Sequence, residues 1–176
     1  MSAFRIENIE YGWFTASIGK LTLTSSNVTD CDTARELLEG AAAVFLDGAA
    51  EALAAWRGEP AARLMGLRMK GMTAEVELWQ SQEDAFELGE SQEEMRQARG
   101  ESLGRDSIEA VELLDGLVCA FALYENGNGR ALYEAHWGDF PERPYRRLKA
   151  FALEVSRRRE AQDEDAGLFC GSFLEE

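Results

Sequence analysis

The chain has 176 residues, which fits one ordinary domain and leaves little room for a second complete core. An apolar fraction of 45%, with 10% aromatic residues, is enough to build a substantial interior and excludes wholesale disorder. Eighteen Lys and Arg against 33 Asp and Glu give a formal charge of −15, which repels phosphate backbones and anionic lipid surfaces and argues against direct nucleic-acid or membrane binding.

Phe4 to Ile9 and Trp13 to Ile18 are short β-branched and aromatic runs divided by Gly12, and Leu21-Thr-Leu-Thr24 follows the turn residues Gly19-Lys20. The chain is therefore expected to open with an antiparallel meander. From Thr29 the texture changes. Asp30 and Asp32 suit N-caps, and Ala34, Leu37, Leu38, Ala41 and Phe45 predict a helix over about 31–46, stopped at Asp47-Gly48. Ala49 to Trp56 reads either as helix, from its alanines, or as an edge strand, from its place before Gly58-Glu59-Pro60.

Residues 62–70 and 72–79 predict a strand hairpin turning at Lys70-Gly71, with Met72, Ala74, Val76 and Leu78 facing the core and Thr73, Glu75, Glu77 and Trp79 facing water. Residues 80–105 are acidic and rich in Gln, Gly and Ser. They read as a surface excursion, with a short exposed helix opened by the capping box Ser91-x-x-Glu94. Ile108, Val111, Leu114, Leu117, Val118, Phe121 and Tyr124 predict a second long helix near 106–125, ended by Asn126-Gly-Asn-Gly129. Tyr145, Leu148, Ala152 and Val155 predict a third over 143–159. The expected fold is α+β, an antiparallel sheet of five or six strands packed on one face by about three helices. A single domain would span 1–160, with an acidic and then apolar tail over 161–176.

Little in the sequence points to catalysis. His136 is the only histidine, and with Tyr133, Trp137 and Phe140 close by it reads as a ring packed beside aromatics. Cys31, Cys119 and Cys170 are odd in number and far apart, so they read as reduced thiols, with Cys119 in the core. Neither a GxxxxGK[ST] loop nor a DxDxDG loop occurs, and no cofactor or metal is expected. The N-terminal residues lack a basic region followed by an apolar one, and Leu37–Leu46 and Leu113–Leu123 are too short or interrupted to cross a bilayer. The expected compartment is the cytosol.

The informative stretch is 75–109, where 11 acidic groups face only Arg96, Arg99 and Arg105, a local charge of −8. Such a surface accelerates capture of a basic partner. The residues expected to meet that partner are Glu83, Asp84, Glu87, Glu90, Glu93 and Glu94.

Tyr11-Gly-Trp13 in a hairpin, Trp56-x-x-Glu59-Pro60 before a strand pair, and Tyr133-x-x-x-Trp137-x-x-Phe140-Pro141 before the last helix resemble small uncharacterised bacterial α+β proteins, some of which look like immunity proteins of polymorphic toxin systems. The resemblance spans most of the chain and implies a non-enzymatic, cytoplasmic inhibitor of a cognate toxin. It assigns no catalytic residue and no particular toxin. A regulatory or structural adaptor and a carboxylate-dependent enzyme are the two other classes open to this sequence.

Overall fold

The computed structural model describes residues 2–27, 32–58 and 60–171, with the backbone alone over 162–171. β1 (Phe4–Glu10), β2 (Trp13–Ile18) and β3 (Leu21–Ser26) form the expected antiparallel meander. Its first turn requires positive φ at both Tyr11 and Gly12, the conformation that suits a two-residue hairpin loop. α1 (Thr33–Phe45) follows, with Asp32 as N-cap accepting from the Arg35 N–H at 3.0 Å.

A second antiparallel sheet then runs in sequence order through β4 (Ala52–Arg57), β5 (Ala61–Lys70), β6 (Thr73–Asp84) and β7 (Arg99–Glu109). The short helix α2 (Gln92–Gln97) lies between β6 and β7, and α3 (Ala110–Ala122), α4 (Gly127–His136) and α5 (Glu142–Gly171) follow β7. The α+β class and antiparallel pairing agree with the sequence, whereas the single sheet of five or six strands under three helices does not. Among the described residues there are two sheets, of three and four strands, and five helices.

The sheets meet without sharing a ladder. β4 is an edge strand whose outward backbone groups are all taken by side chains. Gln92 bonds both the N–H and the C=O of Leu53, at 2.8 Å each. Glu36 accepts from the Ala55 N–H, and Thr33 Oγ1 donates to the Ala55 C=O, also at 2.8 Å. Ser25 Oγ accepts from the Arg57 N–H at 3.0 Å and Ser26 Oγ donates to its C=O at 3.1 Å. β3 therefore lies beside β4 through hydroxyls, and the edge is closed to pairing with another strand. At its other end the first sheet is clasped by β7, where Asp106 accepts from the Lys20 N–H at 2.9 Å.

The main core fills the space between the sheets and helices α1, α3, α4 and α5, with Phe14, Trp56, Phe121, Tyr133, Phe140 and Tyr145 among its aromatic members. α3 can cross β1 closely because Gly116 carries no side chain: a Cβ there would lie 2.8 Å from the Phe4 nitrogen.

Of the two readings of Ala49 to Trp56 the edge strand holds: it contains β4, whose alternation is hidden because all six strand residues are buried. Several other expectations are corrected. Residues 80–105 are no surface excursion: β6 continues to Asp84 and β7 begins at Arg99. The second long helix starts at Ala110, since 106–109 belong to β7, and Asn126-Gly-Asn-Gly129 opens α4 rather than merely ending α3. Met72 sits at the hairpin tip and is 76% exposed, while Trp79 is buried on the face expected to be wet. Cys119 is exposed. Cys31 and the side chain of Cys170 lie outside the described residues, as does 172–176, while α5 carries the third helix well past 159. His136 meets Tyr11 edge-on at 5.5 Å, and its Nδ1 accepts from the Tyr11 N–H at 3.3 Å, so the ring fastens the first hairpin to α4. Among the described residues no helix is long and apolar enough to cross a membrane.

Candidate functional site

The acidic run is built as a plate anchored on buried apolar residues. Ala85, Leu88, Met95 and Ala98, which are spread among its carboxylates, bury against Leu53, Ala55, Ala62, Leu64 and Trp79 on the outer face of the second sheet. This makes a second, smaller core and keeps 85–98 from swinging free. Local hydrogen bonds fix the chain between these anchors. Asp84 Oδ1 accepts from the N–H groups of Phe86 and Glu87 at 2.8 and 3.0 Å. Ser91 and Glu94 form the reciprocal capping box expected from the sequence, and Ser91 holds the Glu94 carboxyl below the ordinary range. The Gln82 N–H donates to the Ala98 C=O at 2.8 Å and closes the segment onto β6.

A chain of ion pairs borders the plate. Arg99 and Arg96 reach Glu51, and Arg68 bridges Glu51 to Glu77. Glu77 is only 6% exposed. Burial opposes its ionisation, but hydrogen bonds from Arg105 and Ser102 overcome this and hold its carboxyl below the ordinary range. The Arg99 guanidinium also lies 4.3 Å over the Trp79 ring.

Beside the plate, between α1, β4 and α2, is a groove of about 450 Å³ whose walls include Glu36, Glu39, Glu51, Glu90, Gln92 and Arg96. Among its walls Glu36 is paired at 2.9 Å with the Arg57 guanidinium, which is 1% exposed. Burial pushes the Glu36 carboxyl up, against the pull of Arg57 and of the Ala55 N–H, and the nearby charge of Glu90 adds to the rise. The groove therefore combines acidic walls with a carboxylate already paired to a buried guanidinium. Among the described residues no group of three or more His, Cys, Asp and Glu side chains converges to hold a metal ion.

All six residues expected at a partner surface are exposed, but their roles divide. Asp84 and Glu94 hold the turn and the cap, Glu93 pairs with Arg96 at 3.7 Å, and Glu90 lines the groove. Glu83 and Glu87 belong to the outward face of the plate. Phe86, absent from that set, is 62% exposed between carboxylates. A lone aromatic within an acidic run was the available signal for it. Glu36, Glu39 and Glu51 were missed because only the tertiary fold brings α1 and the start of β4 to the same groove. The chain matches none of the family models, curated proteins or solved structures with which it was compared.

Proposed function

We propose that this protein is a non-enzymatic inhibitor of the immunity-protein type, which blocks a bacterial toxin by binding a basic surface on it. The observation that carries the reading is the plate: residues 83–94 contain six acidic groups and no basic one, held on buried apolar anchors with Phe86 outward. A pre-ordered surface loses little conformational entropy on binding. Its single-sign field speeds encounter with a basic partner, and an exposed aromatic supplies the apolar anchor that charge alone lacks. A nuclease is the target class best matched to such a field, because its substrate cleft must itself be positive.

The test is genetic and then biochemical. Each gene flanking this one is expressed alone to find a product that arrests growth, and the arrest is challenged by co-expressing this protein. Rescue by the wild-type chain, lost with Glu83→Lys and Glu87→Lys while the melting curve stays unchanged, is the expected result. If neither neighbour arrests growth, or if the reversed chain rescues as well as the wild type, the proposal fails.

A further inference from the structure

Where β3 passes beside β4, a groove of about 370 Å³ opens, walled by Trp13, Thr24, Trp56, Gly58, Ala61 and Arg63. Small-ligand sites begin at about this size, in a range of about 300–1,000 Å³. Gly58 leaves one wall without a side chain: a Cβ there would lie 3.6 Å from the Thr24 carbonyl oxygen and 3.7 Å from that of Ala61. None of residues 83–94 lines the groove, so it is separate from the acidic plate.

Its walls are rich in donors that lack acceptors. Arg63 stands opposite Trp56 in the β4–β5 ladder and is exposed. Among the described residues it pairs with no carboxylate, although acids outnumber bases 33 to 18 in the chain. Arg57, Arg68, Lys70, Arg99 and Arg105 of the same sheet are each paired. The Trp56 indole N–H is buried and meets no acceptor among the described residues, a costly state for a donor. Thr24 Oγ1 lies 3.0 Å from Thr15 Oγ1, and one hydrogen bond between two hydroxyls leaves one O–H to donate elsewhere. The groove also carries an apolar face. Trp13 is 42% exposed, whereas Trp56, Trp79 and Trp137 are all buried.

We propose that this groove binds a small monocarboxylate bearing a flat ring, its carboxylate on Arg63 and its ring on the face of Trp13. The guanidinium fork matches a carboxylate through two parallel hydrogen bonds, and an indole face accepts a ring by offset stacking. An oxygen seated against Trp56 would be the first acceptor for that N–H. A charge of −15 repels anions in proportion to their own charge, which favours a single carboxylate over a phosphate or a polyanion.

The test is a titration of the full chain followed by proton–nitrogen NMR, in which the four tryptophans give four indole N–H signals. The probes are 3-phenylpropionate, its uncharged amide, and propionate, which lacks the ring. The expected result is a saturable shift of the Trp13 and Trp56 signals with 3-phenylpropionate, while those of Trp79 and Trp137 stay in place. The amide and propionate should each bind at least about tenfold more weakly, as should 3-phenylpropionate to Arg63→Gln, because each change removes a charged hydrogen bond or the stacked ring. Arg63 is exposed, so the substituted chain should keep its fold, which unchanged Trp79 and Trp137 signals confirm. The proposal is overturned by the absence of a saturable shift at Trp13 and Trp56, by the amide or propionate binding as tightly as the aromatic acid, or by Arg63→Gln binding it as the wild type does.

Discussion

Replacing Leu114 by alanine tests how the core is closed around α3. Leu114 is 2% exposed, yet it also forms part of the wall of the apolar groove shared with Val111 and Phe151. Truncation removes three carbons, which at ~0.8 kcal/mol each is about 2.4 kcal/mol of lost transfer energy. The void joins a groove open to solvent, so the additional cavity penalty is small, and the total falls at about 2–3 kcal/mol, the lower part of the range for such changes. Leu117, 1% exposed and one turn along the same helix, does not line that groove. Leu117→Ala leaves an enclosed void and is expected to cost about 3–5 kcal/mol. Urea unfolding of both variants measures the difference, with an unchanged denaturant slope and a drop in Tm of ~5–10 °C for Leu114→Ala. A cost below about 1 kcal/mol would place Leu114 outside the core. A cost equal to or above that of Leu117→Ala would refute the argument from the open groove.

Glu36→Ala leaves the buried Arg57 guanidinium without its carboxylate and is expected to destabilise by about 3–5 kcal/mol in chemical denaturation; a loss under about 1 kcal/mol would show that water already solvates Arg57. Gln92→Ala exposes the N–H and C=O of Leu53, so hydrogen exchange at the Leu53 amide is expected to rise while amides of the main core keep their protection. Glu77 is held below the ordinary carboxyl range in the folded chain, so its stabilising contribution is complete above the unfolded-state value and disappears as pH falls through the folded-state value. The gap in unfolding free energy between wild type and Glu77→Gln should therefore be widest near neutral pH and shrink in acid, and a gap independent of pH would contradict the ion-pair chain.

The elements legible in the sequence are those with one face wet and one dry. α1 shows its spacing because Leu37, Leu38 and Ala41 are buried while Arg35 and Glu39 are not. β4 hides its period because both faces are covered, one by the main core and the other by the acidic plate. β7 was lost for the opposite reason: Gly100, Glu101, Ser102 and Gly104 read as loop, and only pairing with β6 makes them a strand. The second sheet's outer core was invisible because Leu88 and Met95 are isolated apolar residues among carboxylates, too sparse to form a stripe. The six acidic residues of 83–94 are legible as charge, but the groove that Glu90 shares with Glu36 is not, since it joins residues some fifty positions apart in the chain.

The central claim, that the plate is the capturing surface, is tested most directly by association kinetics with the growth-arresting partner, comparing wild type with Glu83→Lys combined with Glu87→Lys. These positions are chosen because Asp84 and Glu94 hold local caps and Glu90 acts on Glu36. The reversed chain should associate much more slowly at low salt and nearly as the wild type does near 1 M, where the screening length is only about 3 Å. Equal association rates at low salt would contradict the account and leave the plate as a solvated face over the outer core.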